Sequence, residues 1–170
     1  MVALSPSVPG GFERGVSGRM AIRKILIHPA LVGFPITFLT SALATDFLFW
    51  ATGASQWADF SFWLILAGWL AGLAGILTGL IDFLTIERAR SLTAGWLHFL
   101  SADLAIFITT FNLIARWPDH QAPVLFTGIV FSGIAAALLV VAGNLGGRLV
   151  FRHRIGLDAP EVQAEEERSE

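Results

Sequence analysis

Residues 60–84 read FSFWLILAGWLAGLAGILTGLIDFL, and this stretch decides the fold of the chain. Its single charged residue, Asp82, stands near its end. A helix of roughly 20 apolar residues crosses the hydrocarbon core of a bilayer, which is about 30 Å thick. The stretch is long enough and apolar enough to predict a membrane-spanning helix. A strand of a membrane β-barrel would instead alternate apolar with polar residues, and no such alternation is present.

The composition of the whole chain agrees with an integral membrane protein. Hydrophobic residues make up 55% of its 170 positions and the mean hydropathy is +0.69. Charged residues make up 14%, whereas a soluble domain usually carries about 25%. The net charge of -2 gives no basic field, so nucleic acid is not expected as a partner. The absence of cysteine excludes disulfides, cysteine-ligated iron–sulfur clusters and covalently attached c-type haem.

Three further apolar runs accompany the quoted one. The four predicted spans cover about 28–50, 60–84, 93–115 and 124–147. No run has a charged face that would meet water, which excludes helices of a soluble protein. The connections between the runs are short, and short connections make neighbouring helices antiparallel. We therefore predict an all-α fold over residues 27–157, a four-transmembrane-helix bundle with up-down-up-down topology.

The positive charges predict the orientation of the bundle. Nearly all lysine and arginine residues lie before the first span, between the second and third, or after the fourth, and only Arg116 lies on the opposite side. By the positive-inside rule both termini and the middle loop are cytoplasmic. Residues 1–26 then form a flexible cytoplasmic tail and residues 158–170 an acidic one. A cleaved signal peptide is the alternative for the N-terminus, but the apolar run continues past the cleavage-like triplet at 42–44.

Four glycines of the second span share one helix face. Gly68, Gly72, Gly75 and Gly79 follow one another at steps of four, three and four residues. Glycine weakens a helix, so a stripe of it calls for a reason. Close approach of another helix is the favoured interpretation. Room for a flat cofactor beside the glycine face is the alternative.

Polar side chains near the outer ends of the spans form the first of two predicted polar layers. Asp46, Asn112 and Arg116 come to a similar depth when the spans alternate in direction. A carboxylate near the membrane boundary needs a cation to remain charged, so we interpret Asp46 and Arg116 as a structural ion pair assisted by Asn112. His120 is expected to be exposed in the outer loop that follows.

The second predicted layer lies near the cytoplasmic surface and is the better candidate site. It combines His28, Asp82 and His98, and His153 just beyond the fourth span can join it. One hypothesis is a hydrogen-bonded lock, since buried polar groups usually satisfy one another. A second is a metal or b-type haem site with His28 and His98 as opposite axial ligands. A third is a proton or ion relay, because relays in membranes use histidine with aspartate.

No motif in the chain predicts catalysis. The sequence contains no phosphate-binding loop, no HExxH, no CxxCH and no Gly-x-Ser-x-Gly, so no catalytic residue is assigned. The leading functional hypothesis is a non-catalytic membrane module or accessory subunit. A haem- or metal-binding electron-transfer protein is the alternative, followed by a small ion or proton translocator. Haem b is the one cofactor the residues suggest. The lipid bilayer is the expected partner, and a homo-oligomer or a redox partner is left open.

Four segments, in order along the chain, resemble one known family. They are residues 28–36 (HPALVGFPI, followed by Asp46), 77–82 (LTGLID), 89–98 and 146–156 (GGRLVFRHRIG). Together they resemble the domain of unknown function 2231 family over about residues 27–157. The resemblance implies a four-helix protein of the bacterial cytoplasmic (inner) membrane without an established activity. Some members of that family are fused to Rieske-type or other redox domains, which favours electron transfer by analogy.

The chain departs from that family's pattern at three places. Gly33 stands where several members have histidine or aspartate. Ser101 and Ala102 replace an asparagine that is common after the histidine of the third span. Arg154 stands where glycine is usual. Ligand proposals that depend on those polar groups do not carry over to this chain.

Overall fold

The computed structural model describes residues 21–22, 25–153 and 155. Most of the predicted N-terminal tail and the whole predicted acidic tail, 158–170, lie outside the described residues. The last residues of the range predicted as a flexible tail form a short antiparallel ladder. Its strands are β1 (Ala21–Ile22) and β2 (Ile25–Leu26).

Four helices are long enough and apolar enough to cross a membrane, so the predicted all-α, four-helix membrane fold is confirmed. They are Ile27–Thr52, Ser55–Thr85, Thr93–Arg116 and Val124–Arg152. Their parts are α1 (Ile27–Leu31) and α2 (Gly33–Thr52), α3 (Ser55–Thr85), the short α4 (Glu87–Ser91), α5 (Thr93–Arg116), a π-helical turn (Val124–Gly128), α6 (Ile129–Gly147) and a second π-helical turn (Arg148–Arg152).

All four helices extend beyond their predicted limits, and the second and fourth do so by five residues at one end. The second begins at Ser55 rather than near 60, because the chain reverses direction within two residues. Gly53 takes the left-handed conformation there, with φ 67°, and its N–H donates to the Phe49 carbonyl. This is the usual glycine ending of a helix, which residues with a Cβ adopt at a cost. The fourth helix continues through Gly147, whose backbone stays helical, to Arg152.

The first span is broken at Val32, between α1 and α2. Pro35 explains the position of the break. Proline has no N–H, and its ring clashes with the carbonyl of the residue four positions earlier. That residue is Leu31, the last of α1. Because of the break, His28 lies on a short helix of its own, α1, and not on the main helix of the first span.

The spans pack as two antiparallel hairpins. In the first hairpin α2 packs on α3, and in the second α5 packs on α6. Contacts of α2 with α6 and of α3 with α5 close the bundle, so α2 and α5 lie diagonally opposite each other. The middle of the bundle is an apolar layer, formed by Leu39, Ala42, Phe62, Ile65, Ala105, Ile106, Leu113 and Leu139.

The glycine stripe of α3 serves close packing at its first two positions. A Cβ on Gly68 would lie 2.7 Å from Leu39 Cγ, and a Cβ on Gly72 would collide with Ile106 Cδ1. The fourth position meets a histidine instead, because a Cβ on Gly79 would lie 2.7 Å from Cε1 of His28. The glycine stripe therefore lets α3 pack closely against α2 and α5, and at Gly79 it leaves room for the imidazole of His28.

Candidate functional site

A fully buried ion pair joins the two hairpins. Nη1 of Arg116 donates to Oδ1 of Asp46 at 2.7 Å, and Nη2 donates to Oδ2 at 2.8 Å. Both side chains have 0% of their surface exposed. Parallel hydrogen bonds from one guanidinium to one carboxylate are the strongest form of this contact. The pair spans the diagonal between α2 and α5.

Three further polar side chains complete this cluster, which we call the arginine network. Ser61 and Ser132 donate to the Asp46 carboxylate at 2.5 and 2.6 Å. Asn112 accepts from Nε of Arg116 at 2.9 Å and donates to Ser132 at 3.0 Å. The structure thus brings Asp46, Asn112 and Arg116 together and adds a hydroxyl from each of the other two spans. The serines carry no sequence signal, since a hydroxyl in an apolar helix can also bond to its own backbone.

Gly128 provides the space for the guanidinium. A Cβ at this position would lie 2.6 Å from Nη2 of Arg116 and 3.0 Å from the Pro123 carbonyl oxygen. We expect Gly128→Ala to lower the free energy of unfolding by about 1–3 kcal/mol, the usual range for overpacking. Unfolding in detergent measures the loss. Gly133→Ala is the matched control in the same span, because a Cβ there meets nothing within 4 Å; equal stability of the two variants would contradict the prediction.

The loop beyond Arg116 is fixed to the second span, and the expectation of a simply exposed His120 is wrong. Nδ1 of His120 lies 2.8 Å from Oδ1 of Asp59, and the ring stacks on Phe62 with centroids 3.9 Å apart. Asp119 closes the following turn by accepting from the N–H groups of Gln121 and Ala122 at 2.8 and 3.2 Å. These two bonds lower the pKa of the Asp119 carboxyl, because they stabilise its charged form.

His28 and His98, which we call the histidine pair, are each held by a helix of their own hairpin. Nδ1 of His28 lies 3.0 Å from the Gly75 carbonyl oxygen, and Nδ1 of His98 lies 2.8 Å from that of Ala142. Each ring also covers a glycine. A Cβ on Gly146 would lie 3.0 Å from Cε1 of His98, just as a Cβ on Gly79 would meet His28.

These contacts determine which nitrogen of each ring carries the proton. A carbonyl oxygen only accepts, so Nδ1 of His28 and of His98 is the donor. In the neutral ring Nε2 then keeps its lone pair. Of the two ring nitrogens, Nε2 is the farther from the Cβ position of the supporting glycine. Within the described part of the chain, no hydrogen bond reaches either Nε2.

The histidine pair lies at a cavity of about 390 Å³ between the two hairpins. The two ring centroids are 6.0 Å apart and the ring planes are at 87°. Asp82 and Asp103 also line the cavity, and the rest of its wall is glycine and apolar side chains. His153 is not among the lining residues, so the structure brings His28, Asp82 and His98 to one cavity and leaves His153 outside it.

A repeated arrangement relates the two hairpins. Asp46 follows His28 by 18 residues, and Arg116 follows His98 by the same distance. Gly75, whose carbonyl accepts from His28, stands four residues before Gly79, the glycine under that ring. Ala142, whose carbonyl accepts from His98, likewise stands four residues before Gly146. These repeats, with the matching contacts of α2 with α6 and of α3 with α5, are those expected of two hairpins related by an approximate two-fold axis. The equal spacings are visible in the sequence and were a signal for this symmetry.

The charged groups around the cavity do not form a metal-ion site of their own. Across the described ranges, no group of three or more histidine, cysteine, aspartate or glutamate side chains is arranged to hold a metal ion. Arg90, on the short α4, donates to the carbonyl oxygens of Phe83 and Leu84 at the end of α3. The chemistry at this end of the bundle therefore centres on the histidine pair.

Comparison with known proteins agrees with this architecture. No curated protein and no solved structure matches the chain. One family model does match, described as "Predicted membrane protein (DUF2231)", and it aligns with residues 24–159. The match covers all four spans, the arginine network and the histidine pair. The chain therefore belongs to the DUF2231 family of predicted membrane proteins.

Proposed function

We propose that this chain is a non-catalytic, haem-binding electron-transfer module of the membrane, in which His28 and His98 would hold one b-type haem. The observation that carries the proposal is that two imidazoles, one from each hairpin, are held by the same kind of contact. Both rings donate from Nδ1 to a backbone carbonyl, and both keep the lone pair on Nε2. A histidine that holds a metal through Nε2 needs this tautomer and this kind of orienting bond.

The spacing of the rings supports the proposal. The centroids of His28 and His98 are 6.0 Å apart, and the two rings belong to different hairpins. An imidazole nitrogen binds a transition metal at about 2 Å. The separation of the rings would therefore suit one metal atom held by a nitrogen from each hairpin.

The cavity supports an apolar ligand. Its volume of about 390 Å³ lies within the roughly 300–1,000 Å³ of small-molecule sites. Glycines of α3 and α6 form part of the wall, so flat surface can approach the helix backbones closely. The residues present therefore fit a planar apolar group held by two imidazoles. When bound, haem supplies one-electron exchange at its iron.

A transmembrane relay is supported less well than haem binding. A relay needs polar groups or water along its whole length. The histidine pair and the arginine network are separated by the apolar layer that contains Leu39, Ile65 and Ile106. All of the polar side chains of the arginine network are already bonded to one another. This arrangement favours a ligand site at one end and a structural lock at the other.

We place the module in the bacterial cytoplasmic membrane with both termini inside, on the distribution of arginine and lysine. Arg148 and Arg152 end the fourth span, and Arg88 and Arg90 lie in the connection between the second and third. By the positive-inside rule these ends face the cytoplasm. The histidine pair then lies in the cytoplasmic half of the bilayer, within reach of a redox partner on that side.

The visible spectrum of the full chain, purified in detergent from haem-replete cells, tests the proposal. We expect a Soret band, about one haem per chain by the pyridine haemochrome assay, and the sharp reduced bands of six-coordinate, low-spin iron. His120→Ala is the control histidine variant, because His120 lies at the opposite end of the bundle. Its spectrum should match that of the unmodified chain. A colourless protein that also fails to take up added haem would refute the proposal.

A further inference from the structure

The surroundings of the two imidazoles differ in one polar contact. Oγ1 of Thr78 donates to the Gly75 carbonyl oxygen at 3.0 Å and lies 3.4 Å from Nδ1 of His28. The Gly75 oxygen therefore accepts two side-chain hydrogen bonds, one from the ring and one from the hydroxyl. In the second hairpin the Ala142 oxygen accepts from Nδ1 of His98, and no second side-chain donor reaches it among the residues that the structure describes.

The repeat of the hairpins shows that the hydroxyl belongs to one ring only. The step of 67 residues from Gly75 to Ala142 leads from Thr78 to Leu145. Leucine has no hydroxyl, yet the carbonyl beside it accepts from its histidine in the same way. The contact of Thr78 is therefore an addition to the repeated framework, and it makes the two rings unequal.

The lengths of the two ring bonds agree with this inequality. The distance from Nδ1 to the carbonyl oxygen is 3.0 Å at His28, where the oxygen is shared, and 2.8 Å at His98, where it is not. A carbonyl oxygen has two lone pairs and can accept both bonds. The same oxygen then attracts two protons, so it attracts each of them less strongly than it would attract one. The proton on Nδ1 of His28 is therefore shared less with its acceptor than the proton on Nδ1 of His98.

We propose that Thr78 is a positioning residue for His28, and that it makes His28 the member of the histidine pair that supplies less electron density through Nε2. The inference rests on the proposed function, since this electron density matters when the ring holds a metal. Hydrogen bonding at the far nitrogen of a metal-bound imidazole strengthens that ligand and is one means of setting a reduction potential. A weaker bond at His28 favours reduced haem, so Thr78 raises the reduction potential of the site.

The NMR signal of the proton on Nδ1 of His28 tests the contact in the haem-free full chain, prepared with isotope-labelled histidine. Thr78→Val keeps the shape of the side chain without its hydroxyl. We expect it to move this signal downfield, because the Gly75 oxygen then serves one ring donor alone. Thr78→Ser keeps a hydroxyl and should restore the original position. Thr85→Val is the matched control on the same helix, since the Thr85 hydroxyl also donates to two backbone carbonyls but not to that of Gly75.

The reduction potential of the haem-loaded chain tests the consequence. Thr78→Val should raise the ratio of ferric to ferrous haem affinity roughly threefold, which lowers the potential by about 30 mV at about 59 mV for each tenfold change. Leu145→Thr places a hydroxyl three residues after Ala142, as Thr78 stands three after Gly75. It should raise the potential by a similar amount and move the Nδ1 proton signal of His98 upfield. This second variant keeps the test decisive if Thr78→Val does not fold.

The outcomes separate this inference from the haem proposal. Proton signals that Thr78→Val and Leu145→Thr leave as unchanged as Thr85→Val does would overturn the inference, whether or not haem is bound. Shifted signals in a chain that takes up no haem would support the effect of Thr78 on His28 and refute haem binding. Shifted signals with an unchanged potential, in a chain that binds haem, would also overturn the inference, because the contact would then have no effect on the haem.

Discussion

Arg116→Met should lower the free energy of unfolding by about 3–5 kcal/mol, which is the usual cost of leaving one partner of a buried ion pair without its counter-ion. Asp46 is fully buried and takes two of its hydrogen bonds from this guanidinium. Methionine restores most of the volume but none of the charge. The two serines would continue to donate to the carboxylate, but they bring no positive charge. Unfolding by a graded denaturing detergent, followed by circular dichroism, measures the difference.

The double variant Asp46→Leu/Arg116→Met distinguishes the ion pair from simple packing. Replacing a whole buried pair with apolar side chains of similar volume is often neutral or stabilising. We therefore expect the double variant to recover most of the stability that Arg116→Met loses. A double variant that is less stable than both single variants would show that the network holds the bundle through packing rather than charge. Stability of Arg116→Met within 1 kcal/mol of the unmodified chain would contradict the argument directly.

The positions of the buried charges could be predicted from the sequence because helices in a bilayer have a fixed direction and rise. Once the four spans alternate, Asp46 and Arg116 must come to one depth, and His28 and His98 to the other. The depth of a residue in the bilayer does not determine which neighbouring helix its side chain faces. The roles of Ser61 and Ser132 depend on which faces meet, and a serine in an apolar span looks the same whether it bonds across helices or within one.

The end of the fourth span shows the limit of the same argument. The family resemblance and the helix direction both bring His153 towards the site, yet it lies outside the cavity. The helix runs on through Gly147 to a π-helical turn that ends at Arg152, and the register of that turn sets the direction of the next side chain. Local hydrogen bonding of this kind leaves no pattern in the sequence, because glycine permits both continuation and termination of a helix.

The repeat of the two hairpins gives the histidine pair and the arginine network different structural roles. Two identical hairpins facing each other would place like groups together on the axis. Identical histidines are suited to that arrangement, because a central ligand can be bound equally from both sides. Identical carboxylates would repel each other in the interior, and here one of them is replaced by Arg116. Asp46 with Arg116 therefore fixes how the hairpins join, while the histidine pair keeps a symmetric site.

His28→Ala and His98→Ala should each remove the low-spin haem spectrum. Loss of either imidazole would leave the haem held by a single histidine, so the haem would be bound differently or lost during purification. The two variants should behave alike, because the rings are seated alike. Reduced-minus-oxidised spectra and haem content measure the effect. A normal spectrum in either variant would show that the iron is bound by another residue.

The glycines beneath the rings provide a more specific test than the ligands themselves. Gly79→Ala places a Cβ 2.7 Å from Cε1 of His28, and Gly146→Ala places one 3.0 Å from Cε1 of His98. Each substitution displaces its ring from the carbonyl that orients it, without removing a ligand. Loss of such an orienting contact usually weakens metal binding about 10–100-fold. We expect a fall of that size in haem affinity, measured by transfer of haem to apomyoglobin.

A neighbouring glycine on α6 serves as the control. Gly143 also lines the cavity, but a Cβ on it would make an ordinary contact of 3.9 Å with Ile36. Gly143→Ala should therefore bind haem within about threefold of the unmodified chain, since an ordinary contact needs no displacement. If all three alanine variants weakened binding equally, the cavity volume and not the ring position would determine affinity. Weakening confined to Gly79→Ala and Gly146→Ala would connect haem binding to the orientation of the histidine pair.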